Sequence, residues 1–495
     1  MRDFKILFLY PNLRKESTVP PSITLLSRIL KNHSFKTDVF DSTGYEVKDR
    51  WQKDKKEEIL TARVSAHVNV DKGDFDDMAI DLNKKINDFN PDLIAISSTE
   101  STFLFGVDMV KSIKDRKAPV ILGGVFATFA PERVLGFEEI DMVCIGEGEE
   151  TLLELCEKMR DGKNYSDTKG LWLKNRGGNI IKNPIRRPVD INKNPTDFDV
   201  GLFEEWRYYR PMAGKLYRMF SVETSRGCPF FCTFCNTPAQ KRMYAQIGEN
   251  FFRQKSIGKI KEEIKNYIDN FKAEYFFFWA DTFISMPDEE LDEFCKMYSE
   301  FKIPFFIQTR PETLTEERLK KLKNIGLHRL AVGIEQGNEE FRKRMLKRLY
   351  SNKEAIEKLK IPAELGISFS TFNLVGLPDE TPELVMDTIE LNRQIKSDTT
   401  NCSTFTPFYG SELRQYAVKK GYMKSDVICH NPYDDSELDM PQFPKEKIRA
   451  MKRVFAMYIK FPKDRWPEIR LAEEFTPEGD AKWKELRKEF VENYF

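Results

Sequence analysis

The sequence predicts an α/β chain: a Rossmann-like parallel sheet, then a partial (β/α)6 barrel, then a helical C-terminal region. Three features carry that prediction. Short apolar runs have strand length, amphipathic segments of helix length separate them, and small or polar residues stand where the runs end. At 495 residues the chain is longer than one core can organise. Its 40% hydrophobic and 13% aromatic content is that of folded domains. Lys and Arg number 79 against 79 Asp and Glu, so no net field attracts nucleic acid or an anionic membrane. The longest uncharged stretch, Ala118–Pro131, contains two glycines and two prolines and is too short to span a bilayer. The opening MRDFKILFLYPN does not read as a signal peptide, because its apolar run, Ile6–Tyr10, ends in Pro-Asn. The expectation is a cytoplasmic, multidomain protein.

The first alternation has strands at Phe4–Tyr10, Thr37–Asp41, Pro91–Ser98, Pro119–Gly124 and Asp141–Gly146. One helix, Ile23–Lys31, sets Leu25, Leu26, Ile29 and Leu30 on one side, and another lies around Gly106–Arg116. The charged stretch Glu46–Asn90 is expected to add surface helices. Ligands of such sheets bind at the carboxyl ends of the strands. Those ends are Ser97-Ser98-Thr99-Glu100, Gly123-Gly124 and Gly146-Glu147-Gly148-Glu149, loops that let a backbone approach a large ligand. No GxGxxG follows the first strand and no P-loop occurs, which argues against a dinucleotide or nucleoside triphosphate there. This domain is expected over 1–154. A connector over 155–215 follows, broken by Arg176–Asn179, Pro184, Pro188 and Pro195.

The barrel is expected over 216–410. Its strands are Phe220–Thr224, Glu274–Ala280, Pro304–Thr309, Arg329–Glu335, Ser368–Gly376 and Thr400–Pro407. Ile257–Phe271, Asp288–Phe301, Thr315–Ile325 and Glu383–Ile395 are the helices between them. Residues 411–495 read as helical, with Met451, Phe455 and Tyr458 at one-face spacing.

Of eight cysteines, Cys144, Cys156, Cys295, Cys402 and Cys429 are scattered and read as small core residues. Cys228, Cys232 and Cys235 are different. In SRGCPFFCTFCNTP the spacing is C-x3-C-x2-C, directly after the first barrel strand. Three thiolates on one tight loop can ligate three irons of a cubane, leaving the fourth iron without a protein ligand. A structural zinc site closes with four ligands, and none of His33, His67, His328 and His430 lies nearby in sequence.

With these residues the chain resembles the cobalamin-dependent radical SAM enzymes, which join a cobalamin-binding domain to a radical SAM barrel. The resemblance covers roughly residues 1–425. It implies that Cys228, Cys232 and Cys235 hold a 4Fe-4S cluster as the metal and catalytic residues, with Phe234 between the last two. WADTF places Asp281 near the methionine amino group of S-adenosylmethionine, and Gln308-Thr309-Arg310 supplies Arg310. VGIEQG puts Glu335 on the cofactor side, with Gln336 where the family has Ser. NLVGLPDET sets Asn373 and Gly376 beside adenine or ribose, and TPFYGSEL resembles the last barrel strand. In the N-terminal domain, GGVFATFAPE and DMVCIGEGEETL match cobalamin-side elements. Ser97, Ser98, Thr99, Glu100, Gly123, Gly124, Thr128, Gly146, Glu147, Gly148 and Glu149 are then the cobalamin-binding residues. Phe126 stands where the family often has His, and no D-x-H-x-x-G supplies a lower cobalt ligand. Methylthiotransferases are a poorer match, since residues 1–150 contain only Cys144.

The resemblance implies a C-methyltransferase acting on an unactivated carbon of a small molecule or of a protein or peptide side chain. It would use a 5′-deoxyadenosyl radical and methylcobalamin, with a reductant such as flavodoxin or ferredoxin. Ring closure or rearrangement by the same cofactors is the alternative, and a cofactor-binding sensor with a structural cluster is the alternative of another class. Taken alone, Asp281 reads as a helix or turn cap, and Glu335 with Arg310 as an ordinary barrel ion pair. The run Lys343–Arg348 reads as a solvated helix face, and Tyr409 and Tyr416 as rim packing near the barrel mouth.

Overall fold

The computed structural model describes residues 3–14, 19–47, 68, 70–175 and 177–494. Most of the charged stretch expected to form surface helices, 48–67 and 69, lies outside the described residues. Within the rest of that stretch, Phe75–Phe89 is a helix started by Asp74, whose carboxylate takes the Asp76 and Asp77 amides.

The N-terminal sheet is built from β1 (Lys5–Tyr10), β2 (Lys36–Asp41), β3 (Leu93–Ser97), β4 (Val120–Gly123), β5 (Met142–Cys144), β6 (Leu171–Lys174) and β7 (Ile180–Lys182). Their order is β2-β1-β3-β4-β5-β6-β7. The first five strands run parallel, as their near-continuous apolar runs require for a sheet covered on both faces. The sheet does not stop there. Strands β6 and β7 add antiparallel at its edge, within the stretch read as a connector. The prolines do end regular structure after β7, but LWLK before them alternates buried and half-buried and so makes a strand.

The second sheet follows β8 (Tyr209–Met212) with β9 (Lys215–Glu223), then a short ribbon of β10 (Ser225–Arg226) and β11 (Arg253–Gln254). It continues as β12 (Tyr275–Trp279), β13 (Phe305–Thr309), β14 (Leu327–Glu335), β15 (Ser368–Val375) and β16 (Thr399–Thr404). The order is β16-β15-β14-β13-β12-β9-β8. Strands β9 and β12 to β16 are parallel neighbours, the partial barrel that the alternation predicts. Alternate residues decide its two faces. Phe276, Phe278, Phe305, Ile307 and Phe369 enter the core under the helices, while Phe277, Trp279, Phe306, Gln308, Ser370 and Phe372 face the concave side.

The helices Lys445–Lys460, Trp466–Ala472 and Pro477–Tyr494 pack as the C-terminal layer, with Met451, Phe455 and Tyr458 all buried in one core. The scattered cysteines are core residues: Cys144, Cys156, Cys402 and Cys429 are buried and Cys295 packs partly buried. Among the described residues no helix is long and apolar enough to cross a membrane.

Candidate functional site

The cysteine loop springs from the end of β9. Gly227 turns the chain at φ 88°, and a side chain there would strike the Phe251 ring 2.9 Å away. Cys228 Sγ then lies 3.6 Å from Thr282 Oγ1, just beyond β12. Arg310, at the end of β13, donates to Cys232 Sγ at 3.2 Å. Cys235 Sγ is 3.4 Å from Thr237 Oγ1, whose hydroxyl donates to Asp281 Oδ2 at 3.1 Å. The three thiols therefore ring one space, bounded by Thr237, Asp281-Thr282 and Arg310. Burial pushes the Cys228 thiol up, and the Cys235 thiol up to about 11.

The expected S-adenosylmethionine residues divide into two groups. Asp281, Arg310, Glu335 and Phe234 surround that space. Asp281, just past the carboxyl end of β12, is exposed, and the protein around it pushes its carboxyl up against the opposing Thr237 hydrogen bond. Arg310 lies over the Phe230 ring at 3.7 Å and pairs with Glu312. Glu335 takes a left-handed φ of 67° where the β14–β15 register shifts, which turns its buried carboxylate inward. Its close ion-pair partner is Arg348 at 3.1 Å, rather than Arg310. Arg348 in turn sits 5.4 Å over the Phe234 ring. The run expected as a solvated helix face thus splits. Arg344 and Lys347 are exposed, while Met345, Leu346 and Arg348 are buried because the helix ends at Lys347 with φ 54° and redirects the chain inward.

Asn373 and Gly376 are set by contacts of their own. The Asn373 amide is engaged by Asn392 Nδ2 at 2.8 Å and the Asn401 carbonyl at 3.1 Å, so it ties β15 to its neighbours. Gly376 bends at φ 80° against Ile448, and its amide donates to Glu380 at 2.6 Å. Gln336 donates to the other Glu380 oxygen at 3.0 Å, which fastens the end of β14 to this loop.

On the N-terminal side, Gly124 adopts φ 120°, and a Cβ there would collide with the Ser98 carbonyl oxygen. The Ser98 hydroxyl beside it is buried without a partner. Thr128 binds the Gly124 carbonyl at 3.0 Å and accepts from the Gly146 amide at 3.0 Å, drawing the ends of β4 and β5 together. Ser97 Oγ reaches Ser22 at 3.3 Å, Thr99 starts the helix Glu100–Lys111, and Gly148 starts the helix Glu149–Arg160. Gly123 closes β4 and Gly146 turns at φ 82° against Tyr244. The three acids of these loops point across the domain junction. Glu100 accepts from the Tyr409 amide at 2.8 Å and the Cys429 amide at 2.9 Å. Glu147 is held by Arg226 at 3.0 Å and by Arg253, and Glu149 meets Arg226 at 2.7 Å.

Two family models match the chain: the radical SAM superfamily over residues 222–391 and the B12 binding domain over residues 18–156. These are the barrel and the N-terminal sheet. The chain thus carries both domains that cobalamin-dependent radical SAM enzymes join, and its relatives and structural neighbours include methyltransferases of that kind. An uncharacterized methyltransferase of Pyrococcus horikoshii is 26% identical over 390 residues, covering 77% of this chain and 81% of that one. The anaerobic magnesium-protoporphyrin IX monomethyl ester cyclase of Rubrivivax gelatinosus is 26% identical over 392 residues, with 76% and 67% covered. In fold, the chain is similar to the radical S-adenosylmethionine methyltransferase TsrM of Kitasatospora setae, solved with cobalamin and a 4Fe-4S cluster. That likeness has a TM-score of 0.66 at 14% identity, covering 100% of this chain and 99% of that one.

The residues suit the three groups this family uses. Among the described residues no three His, Cys, Asp or Glu side chains converge as on a single ion. Cys228, Cys232 and Cys235 come from one short loop, and thiolates so placed can each take a different iron of a cluster. Glu335 is a carboxyl pushed up by burial and Asp281 one pushed up by the protein around it, and both suit a cationic amino group. The buried Arg310 Nε and Arg348 Nε have no partner, which leaves donors for a carboxylate. The Ser98 hydroxyl and the Gly124–Gly146 cradle are the corresponding features for cobalamin.

Three residues of this site were given no role by the sequence reading, Arg226, Glu223 and Arg253, and a fourth, Arg348, was assigned to a solvated face. Arg226 directly precedes Gly-Cys and could have been marked by that adjacency; the others carry no local signal. Phe126, in the place of His, is buried 4.9 Å from the Phe103 ring and 5.4 Å from Tyr409. Tyr409 and Tyr416 pack as expected. Tyr409 lies under Arg414 at 3.5 Å, and Tyr416 donates to Asp379 at 2.5 Å.

Proposed function

We propose that the chain is a C-methyltransferase that places a methyl group on an unactivated carbon. Cluster, S-adenosylmethionine and cobalamin, when bound, supply the nucleoside radical and the methyl group. The observation that carries the reading is the juncture itself. Arg226, two residues before Cys228, clasps Glu147 and Glu149 of the cobalamin-side loop. Radical site and methyl carrier are thereby held on one ion-paired seam, and positioning of this kind supplies most of what a protein adds to such a reaction. Asp281, Glu335, Arg310 and Arg348 orient S-adenosylmethionine by charge. Thr237 and Thr282 steady the thiols.

Per methyl transferred, two molecules of S-adenosylmethionine are consumed. One gives methionine and 5′-deoxyadenosine, which carries the substrate hydrogen; the other gives S-adenosylhomocysteine. Two electrons enter from a one-electron donor of the flavodoxin or ferredoxin type. The test is an anaerobic assay with cobalamin, reductant and S-adenosylmethionine bearing a deuterated methyl. Both nucleoside products are expected, and neither from Cys232→Ala. Deoxyadenosine alone would replace methyl transfer by ring closure or rearrangement, the chemistry named for the cyclase relative.

A further inference from the structure

The concave face of the barrel carries side chains that the proposed reaction leaves without a role. Phe277, Trp279 and Phe306 pack into none of the hydrophobic cores that the described residues form. Phe277 stacks on Trp279 at 5.9 Å and 12°, and meets Phe306 edge-on at 5.0 Å. Trp279 is 45% exposed at the end of β12, two residues before Asp281 and three before Thr282 at the first cluster cysteine. Farther round the curled sheet, Ser370, Phe372, Asn401 and Ser403 are partly exposed on the same face. Arg329 lies toward the amino ends, bonded to Ser370 at 2.9 Å and Thr399 at 2.7 Å. Glu223 and Glu335 stand at the carboxyl ends. Arg329 stands in register beside Phe306 and Glu223 beside Trp279. Both charges are already engaged, Arg329 by Ser370 and Thr399 and Glu223 by Arg226. The other side chains named between these ends are aromatic or neutral and polar.

We propose that this aromatic wall is the substrate subsite, and that the substrate lays an uncharged, planar or apolar carbon skeleton against it. An unactivated C–H bond offers no hydrogen-bond handle, so it can be fixed only by shape and dispersion. Stacked rings supply both over a large area. Gln308, Asn401 and Ser403 serve the few polar groups of such a molecule. The inference rests on the methyl-transfer reading for the unactivated carbon the substrate must offer, while the aromatic lining itself stands apart from it.

The test is equilibrium dialysis of the anaerobically reconstituted protein against N-phenyl-1-naphthylamine and against its sulfonated counterpart, 8-anilino-1-naphthalenesulfonate. The neutral probe is expected to bind at one site. Trp279→Ser should weaken it roughly tenfold, Trp279→Phe should restore most of the affinity, and Phe475→Ala, at an exposed ring of the C-terminal layer, should change nothing. Retained cluster absorbance and melting temperature show that the variants fold. Affinity within twofold of wild type in both Trp279→Ser and Phe372→Ser would overturn the proposal. So would tighter binding of the sulfonate that Arg329→Gln abolishes, which would make the subsite anionic. Because dialysis needs no turnover, a chain that binds the neutral probe yet transfers no methyl sinks the methyl reading and not this one.

Discussion

Arg310 has three partners at once: it donates to the Cys232 sulfur, lies over Phe230 and pairs with Glu312. Lysine keeps the charge but has neither the planar fork nor the stacking face. Arg310→Lys should therefore keep iron content within twofold of wild type while 5′-deoxyadenosine formation falls roughly tenfold, the loss of one charge-assisted hydrogen bond. Iron and product measured on the same preparation check it, and a parallel loss of both would mean that Arg310 serves the cluster alone. Glu380 makes a pH-dependent case. It is fully buried with three neutral donors and no cation, and burial raises its carboxyl from 4.5 to about 7. A raised acid binds its proton more tightly in the native state. Its stabilising contribution is full below pH 4.5 and is lost as the pH rises through 7. Between pH 5 and pH 8, Glu380→Gln should gain about 2 kcal/mol on wild type in urea denaturation. A difference that stays constant with pH would show Glu380 ionised throughout.

At the scale of elements, the strand ends are where backbone geometry governs function. Gly124 combines a left-handed φ with a carbonyl too close for a side chain. Gly124→Ala is expected to cost about 1–3 kcal/mol and to strip cobalamin during gel filtration. Gly162→Ala, whose Cβ would meet nothing, should melt closer to wild type and keep cobalamin. Equal retention in both variants would detach Gly124 from cofactor binding. Most of the strands were readable because they are apolar runs of the right length; β15 and β16, SFSTFNLV and TTNCST, were readable instead from strand-length spacing between helices and from β-branched and alternating residues. Strands β6 and β7 were not, because β6 shows its pattern over only four residues, beside a glycine turn and three prolines. The cysteine loop was legible for the opposite reason: its chemistry is local, three ligands within eight residues. Glu100, Glu147 and Glu149 looked like ligand-facing residues at strand ends, but the partners that hold them lie at least 42 positions away in sequence, and their arginines at least 77. No local pattern encodes a partner at that separation.

At the scale of the whole molecule, those same acids decide whether two domains act as one. Arg226 reaches Glu147, Glu149 and, through a second hydrogen-bonded fork, Glu223, while Arg253 shares Glu147. Burial works against charge on Glu147, yet the Arg253 hydrogen bond and both guanidinium charges hold its carboxyl below the ordinary value. Removing one cation from a buried network leaves uncompensated charge and costs about 3–5 kcal/mol. Arg253→Gln takes that cation from β11, in register with Arg226, and leaves Arg226 and the cysteine loop itself unchanged. The loss should appear at the seam rather than inside either domain. Denaturation should then separate into two transitions, since the cores on either side stay intact. Nucleoside products should separate too. Deoxyadenosine formation, which needs only the barrel, should stay within threefold of wild type, whereas S-adenosylhomocysteine formation, which needs the cobalamin-side domain in place, should fall more than tenfold. Raising the salt should reproduce little of this in wild type, because buried pairs are poorly screened. If Arg253→Gln unfolds in one step and both products fall together, the seam is part of a single cooperative core, and the methyl carrier and the radical site cannot be uncoupled by charge.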